Sequence, residues 1–120
     1  MNTNPAFMSQ ADLQAWQQDM TIQYLPSLER LVEVGRGHSG QPHHIRCILL
    51  AIYNSSDWPL DLGRLQALDH DLQIDALNVI RWKTLSDREP HTHLADGDRI
   101  MLSFWKRERP DDFPPENGAV

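Results

Sequence analysis

Apolar side chains recur at helical spacing along most of this chain, and the breaks between them predict its elements. Leu13, Trp16, Met20 and Tyr24 share one face of a helix over about residues 10–24, with Ser9 placed to cap it and Asp12 three residues on. Pro26 disfavours helical geometry at Leu25 and suits the first turn of a new helix. A second helix is therefore expected, carried by Leu28, Leu31 and Val32 and stopped at Gly35. Gly35-Arg36-Gly37-His38-Ser39-Gly40-Gln41 has the composition of a loop. Pro42 opens a third helix through about Tyr53, with Ile45, Ile48, Leu49 and Ile52 on one face and Cys47, Leu50 and Ala51 filling much of the rest. A helix apolar nearly all round belongs at the centre of a domain.

Beyond the turn at Asn54–Pro59, Leu62, Leu65 and Leu68 mark a short fourth helix. Asp69 can cap a fifth, running to about Leu85 and buried through Leu72, Ala76, Leu77, Val79 and Ile80. A loop marked by Pro90 follows. Asp96 then caps a sixth helix, with Met101, Phe104 and Trp105 inward and Lys106, Arg107 and Arg109 at the negative end of its dipole. No segment alternates apolar and polar residues as a strand does, and there is no internal repeat. The expected fold is all-α, a compact bundle of five to six short helices forming one domain over residues 9–109. A flexible arm, residues 1–8, is expected before it, and a disordered acidic tail, residues 110–120, after it.

Several pieces of this pattern occur together in one known family: Ser39-Gly40-Gln41, Leu49-Leu50-Ala51 with Tyr53-Asn54, Asp61-Leu62, Leu65, Leu68-Asp69, and a terminal helix ending in Trp105. Over about residues 27–107 the chain resembles an uncharacterised family of short bacterial proteins, often encoded on plasmids and integrative elements. The family pattern usually carries basic residues just after the glutamine, where this chain has His43-His44-Ile45-Arg46. The resemblance implies a helical fold in a bacterial cytoplasm. It implies no activity and no catalytic residue.

Charge changes the picture more than composition does. The net charge of −6 opposes non-specific association with nucleic acid, which rests on cationic contacts to phosphate. The charge is segregated, however. From Val34 to Ser56 there is no acidic residue, only Arg36, Arg46 and three histidines, whereas Asp57 to Asp75 holds five Asp and one Arg. The single cysteine, Cys47, rules out an intramolecular disulfide and a cysteine-based zinc motif, and points to a reducing compartment. Residues 1–10 carry no Lys or Arg and no long apolar run, so a cytoplasmic location is expected, with no membrane segment.

Four constellations bear on function. The glycine loop feeding a helix N-terminus can cradle an anion, with Arg36, His38, Gln41, His43, His44 and Arg46 as the binding residues. It is not a Walker A loop, because Gln-Pro follows Gly40 where Lys-Ser or Lys-Thr is required. His43-His44 and His91-Thr92-His93 lack the helical spacing of zinc ligands, and no metal or cofactor is expected. Cys47 sits mid-helix among apolar neighbours, the setting of an inert thiol, and Asp69, Asp71 and Asp75 read as caps or a solvated face. Ile74, Trp82 and Leu85 fall outside the main face of the fifth helix and are candidates for an interface with a partner or a second copy. The expected function is a non-catalytic protein-interaction module, in which another protein or a second copy is the partner. The alternatives are a nucleic-acid- or anion-binding accessory protein using the Gly35–Arg46 segment, or a small metal- or thiol-dependent enzyme.

Overall fold

The computed structural model describes residues 9–113, which contain helices and no strand. The expected arm, residues 1–8, and the last seven residues of the expected tail lie outside the described residues. Five α-helices follow one another: α1 (Gln10–Gly35), α2 (Gly40–Tyr53), α3 (Leu62–Gln66), α4 (His70–Leu85) and α5 (Gly97–Glu108). Short 3-10 turns at Pro90–His93 and Pro110–Asp112 flank α5, and Phe113 beyond the second turn packs edge-on against Trp105. No helix among the described residues is long and apolar enough to cross a membrane.

The first two expected helices are one. Pro26 lies inside α1, where it removes a backbone hydrogen bond at a typical cost of ~3 kcal/mol. Two features offset that cost. Pro26 is exposed and so is Ile22, so the carbonyl left without its helical donor can be hydrated. On the opposite face Tyr24, Ser27, Leu28 and Leu31 are fully buried, and a break at Leu25 would pull them out of register with α4. Ser9 caps the helix as expected, its hydroxyl accepting from the Asp12 N–H at 3.0 Å.

The apolar helix α2 is central and touches each of the other four. Its Ile45, Ile48, Leu49 and Leu50 form the core with Leu28 and Leu31 of α1, Ala76 and Val79 of α4, and Met101 and Phe104 of α5. Backbones come close where α5 begins. A Cβ on Gly97 would stand 1.9 Å from the His91 carbonyl oxygen, so only glycine lets the 3-10 turn cross the helix start.

One acid expected on a solvated face is inside. Asp75 of α4 is buried against α1, where Ser27 donates to it at 2.7 Å and Arg30 grips both oxygens at 2.7 and 2.9 Å. Asn78 completes the network by donating to the Ser27 hydroxyl at 3.0 Å. Burial raises the Asp75 pKa, but the hydrogen bonds from Arg30 and Ser27 outweigh it, and the net direction is down from the usual 3.8. A carboxyl held below its unfolded pKa adds stability above that pKa and loses it as pH falls through the folded value. Asp75→Asn should therefore be less stable than the parent at pH 7. The gap, read from urea midpoints, should narrow as pH drops below 3.8. A gap independent of pH would show that the charge on Asp75 is not what binds α1 to α4.

Candidate functional site

The segment between α1 and α2 turns on two left-handed residues, Ser39 (φ 59°) and Gly40 (φ 50°), and its carbonyls are claimed by two arginines. Arg46 of α2 donates to the Gly35 and Gly37 carbonyls at 2.7 and 2.9 Å. From α5, Arg107 donates to the Arg36 and Gly37 carbonyls at 3.0 and 2.8 Å and approaches His38 Nδ1 at 3.3 Å. These contacts fasten the loop to the C-terminal end of α5. The same end supplies Glu108, whose Oε2 accepts from Arg46 Nε at 2.8 Å. Both side chains of that pair are more than nine-tenths buried.

Glu108 has two further neighbours. His43 Nδ1 lies 2.7 Å from its Oε1, and the Cys47 thiol points at the same oxygen from 3.8 Å. Arg64 of α3 sits on the far side of the imidazoles, its Nη1 at 3.2 Å from both His43 Nε2 and His44 Nδ1. A guanidinium only donates, so those two nitrogens accept; the His43 hydrogen is then on Nδ1, aimed at Glu108. His44 is held below the usual histidine pKa by burial first, then by His43 and Arg64. It is therefore harder to charge than a free imidazole. Burial pushes the Cys47 thiol up, and the Glu108 charge adds to the effect. His43, Cys47, Trp58, Asp61, Arg64 and Glu108 are among the residues lining a cavity of about 260 Å³, and Arg109 lies over the Trp58 ring at 3.7 Å.

Of the residues picked out in the sequence, Arg36 and His38 are exposed and His43 is half-buried at this corner, so these three can meet a ligand. Arg46 cannot, because its guanidinium is spent on the loop carbonyls and Glu108. Gln41 pins α4 instead: its amide oxygen accepts from the Asp69 N–H at 2.6 Å and its nitrogen donates to the Asp69 carboxylate at 3.0 Å. The two histidine pairs do not converge. His91 faces Asp98 and Tyr53, while His93 packs edge-on to Tyr24 and Trp82. Arg64, Arg107, Glu108 and Arg109 come from distant sequence and were not foreseen. His43 and Cys47, four residues apart on one helix, carried a signal that was readable.

The second expected surface divides. Ile74 and Leu85 are exposed, but Trp82 is buried and stacks on Tyr24 with ring centroids 4.2 Å apart. Between the start of α1 and the end of α4 an open groove of about 800 Å³ is lined by Trp16, Gln17, Thr21, Trp82, Leu85 and His93 among others.

The model of a family described as a family of unknown function, DUF7673, matches residues 25–109, and the chain belongs to that family. The match begins inside α1, ends at Arg109 and takes in every residue of the corner. No curated protein and no solved structure matches the chain.

Proposed function

We propose that this member of a family without an assigned activity is a non-catalytic interaction module, docking a carboxylate-rich segment of a partner protein on the basic corner. The corner comprises the Gly35–Arg46 segment together with Arg64, Arg107 and Arg109. The observation that carries the reading is how these three arginines are partnered. Among the described residues their contacts are imidazole nitrogens, backbone carbonyls and an indole ring rather than carboxylates. Their charge is therefore left available on a chain whose net charge is −6. Arg36 adds to it, its nearest carboxylate, Glu33, standing 3.8 Å away in an exposed pair. Each exposed ion pair contributes ~0.2–1 kcal/mol, so three or four pairs give weak binding that salt weakens further. The mobile-element setting that the sequence resemblance implies would make the partner another protein encoded on such an element.

The test is nuclear magnetic resonance of the full chain titrated with a glutamate-rich decapeptide, and separately with a short DNA duplex, at two salt concentrations. Shifts at amides 35–46 and 107–109 with the peptide, lost in Arg107→Ala/Arg109→Ala, support the reading. A stronger response to the duplex replaces the partner class with nucleic acid. Silence of those amides overturns it. A second reading, self-association through α4, rests on Ile74, Leu77 and Leu85, exposed together on its outer side. Sedimentation of the parent and Leu77→Asp separates the two.

A further inference from the structure

The corner also holds three metal-binding side chains of different chemistry at one point. His43 and Cys47 are one turn apart on α2 and face Glu108 at the end of α5; one ligand atom from each lies within 4.8 Å of the other two. We propose that His43 Nδ1, Cys47 Sγ and a Glu108 carboxylate oxygen bind a borderline-soft divalent transition-metal ion, zinc foremost, with the remaining coordination position open to the cavity beside them. This goes beyond the docking of an acidic partner and does not depend on it.

The distances fit with little movement. Zinc bonds of ~2.0–2.3 Å in tetrahedral geometry put ligand atoms ~3.3–3.6 Å apart, so the His43–Glu108 contact, now 2.7 Å, must open and the Cys47 thiol must draw in, each by about 1 Å or less. The donor set selects the ion. One thiolate and one imidazole exclude calcium and magnesium, which take oxygen ligands, and favour zinc or its neighbours. Thiolate and carboxylate together balance the dication. Arg46, bonded to the other Glu108 oxygen at 2.8 Å, already fixes the plane of the carboxylate as an outer partner does in metal sites. Three protein ligands beside a cavity of about 260 Å³ is the arrangement of a site that keeps one position for water or a ligand.

Protons balance as follows. The Cys47 thiol gives up its proton to solvent when the metal binds. His43 stays neutral, but its hydrogen must pass from Nδ1 to Nε2. That nitrogen now faces Arg64 at 3.2 Å, and two donors cannot share a contact. Metal binding therefore turns Arg64 away from His43, leaving it with His44 alone, and the Arg64 guanidinium becomes a reporter for the site.

The experiment adds cobalt(II) to the full chain in a reducing, chelator-free buffer and then displaces it with zinc. The expected result is one equivalent bound, with a thiolate-to-cobalt charge-transfer band and strong tetrahedral ligand-field bands that zinc abolishes. The Arg64 side-chain resonance should move with the same stoichiometry. Cys47→Ser should remove the charge-transfer band, and His43→Ala should weaken zinc by more than the ~10–100-fold that loss of an outer partner costs. Glu108→Gln endangers the fold through Arg46, so these two variants carry the test, with circular dichroism confirming their helicity. His70→Ala, on an exposed residue outside the cluster, should bind as the parent does. Absence of the thiolate band overturns the proposal, as does zinc affinity that survives Cys47→Ser in a folded protein. Repeating the peptide titration in excess chelator keeps the two proposals apart, since the docking face needs no metal.

Discussion

Arg46→Met is expected to destabilise the protein by about 3–5 kcal/mol, the range for removing one partner of a buried ion pair. Both members of the Arg46–Glu108 pair are almost wholly buried. Methionine keeps the aliphatic stem but leaves the Glu108 carboxylate without its cation, and the Gly35 and Gly37 carbonyls lose the donor that reaches them at 2.7 and 2.9 Å. Arg107, which donates to the Arg36 and Gly37 carbonyls at 3.0 and 2.8 Å, can hold only part of the loop. The measurement is urea unfolding of Arg46→Met and of the double variant Arg46→Met/Glu108→Leu. The double variant should regain much of the loss, because an apolar pair of similar volume has no stranded charge. If the single variant loses less than about 1 kcal/mol, Arg46 is a surface-like residue, and its release to bind ligands becomes the better account of the sequence pattern.

That pair also marks where sequence reading runs out. The central helix was legible because its apolar residues cover nearly every side of one turn after another, a local property. The glycine segment was legible as a turn for the same reason, and Ser9 as a cap. The continuity of α1 was not, since the penalty at Pro26 is local while the burial of Tyr24, Leu28 and Leu31 that outweighs it comes from α2 and α4. Asp75 looked solvated because Asp71 shares its face at helical spacing; the residues that hold it, Ser27 by a hydrogen bond and Arg30 by its charge, are more than forty positions away. Arg46 looked free for the same reason, its carboxylate lying 62 positions downstream. Half of the corner was thus visible as a run of residues, and the half that decides which of them can meet a ligand was supplied by α3 and α5.

Leu49→Ala is expected to cost about 2–5 kcal/mol, toward the upper end of what a buried leucine truncation does. The physical reason lies in what surrounds the side chain. Leu49 is 3% exposed and, with Leu28, Ile52, Pro90, Leu94 and Met101, borders a small, mostly apolar void of about 10 Å³. Truncation merges the lost volume with that void. Collapse is resisted on every side, because α2 is held by all four other helices and the 3-10 turn at Pro90 is locked over Gly97 by backbone contact. The cavity term then adds to the lost transfer energy instead of relaxing away. In a domain of this size each kcal/mol moves the midpoint by ~3–5 °C, so a drop of roughly 10 °C or more is expected. Leu62→Ala, at a side chain 67% exposed, should shift stability by no more than about 0.5 kcal/mol. An apolar cavity that persists binds small apolar solutes, so benzene should raise the melting temperature of Leu49→Ala but not that of the parent. A variant that melts like the parent would mean the core repacks around α2, and that the bundle tolerates slack at the helix on which both halves of the basic corner depend.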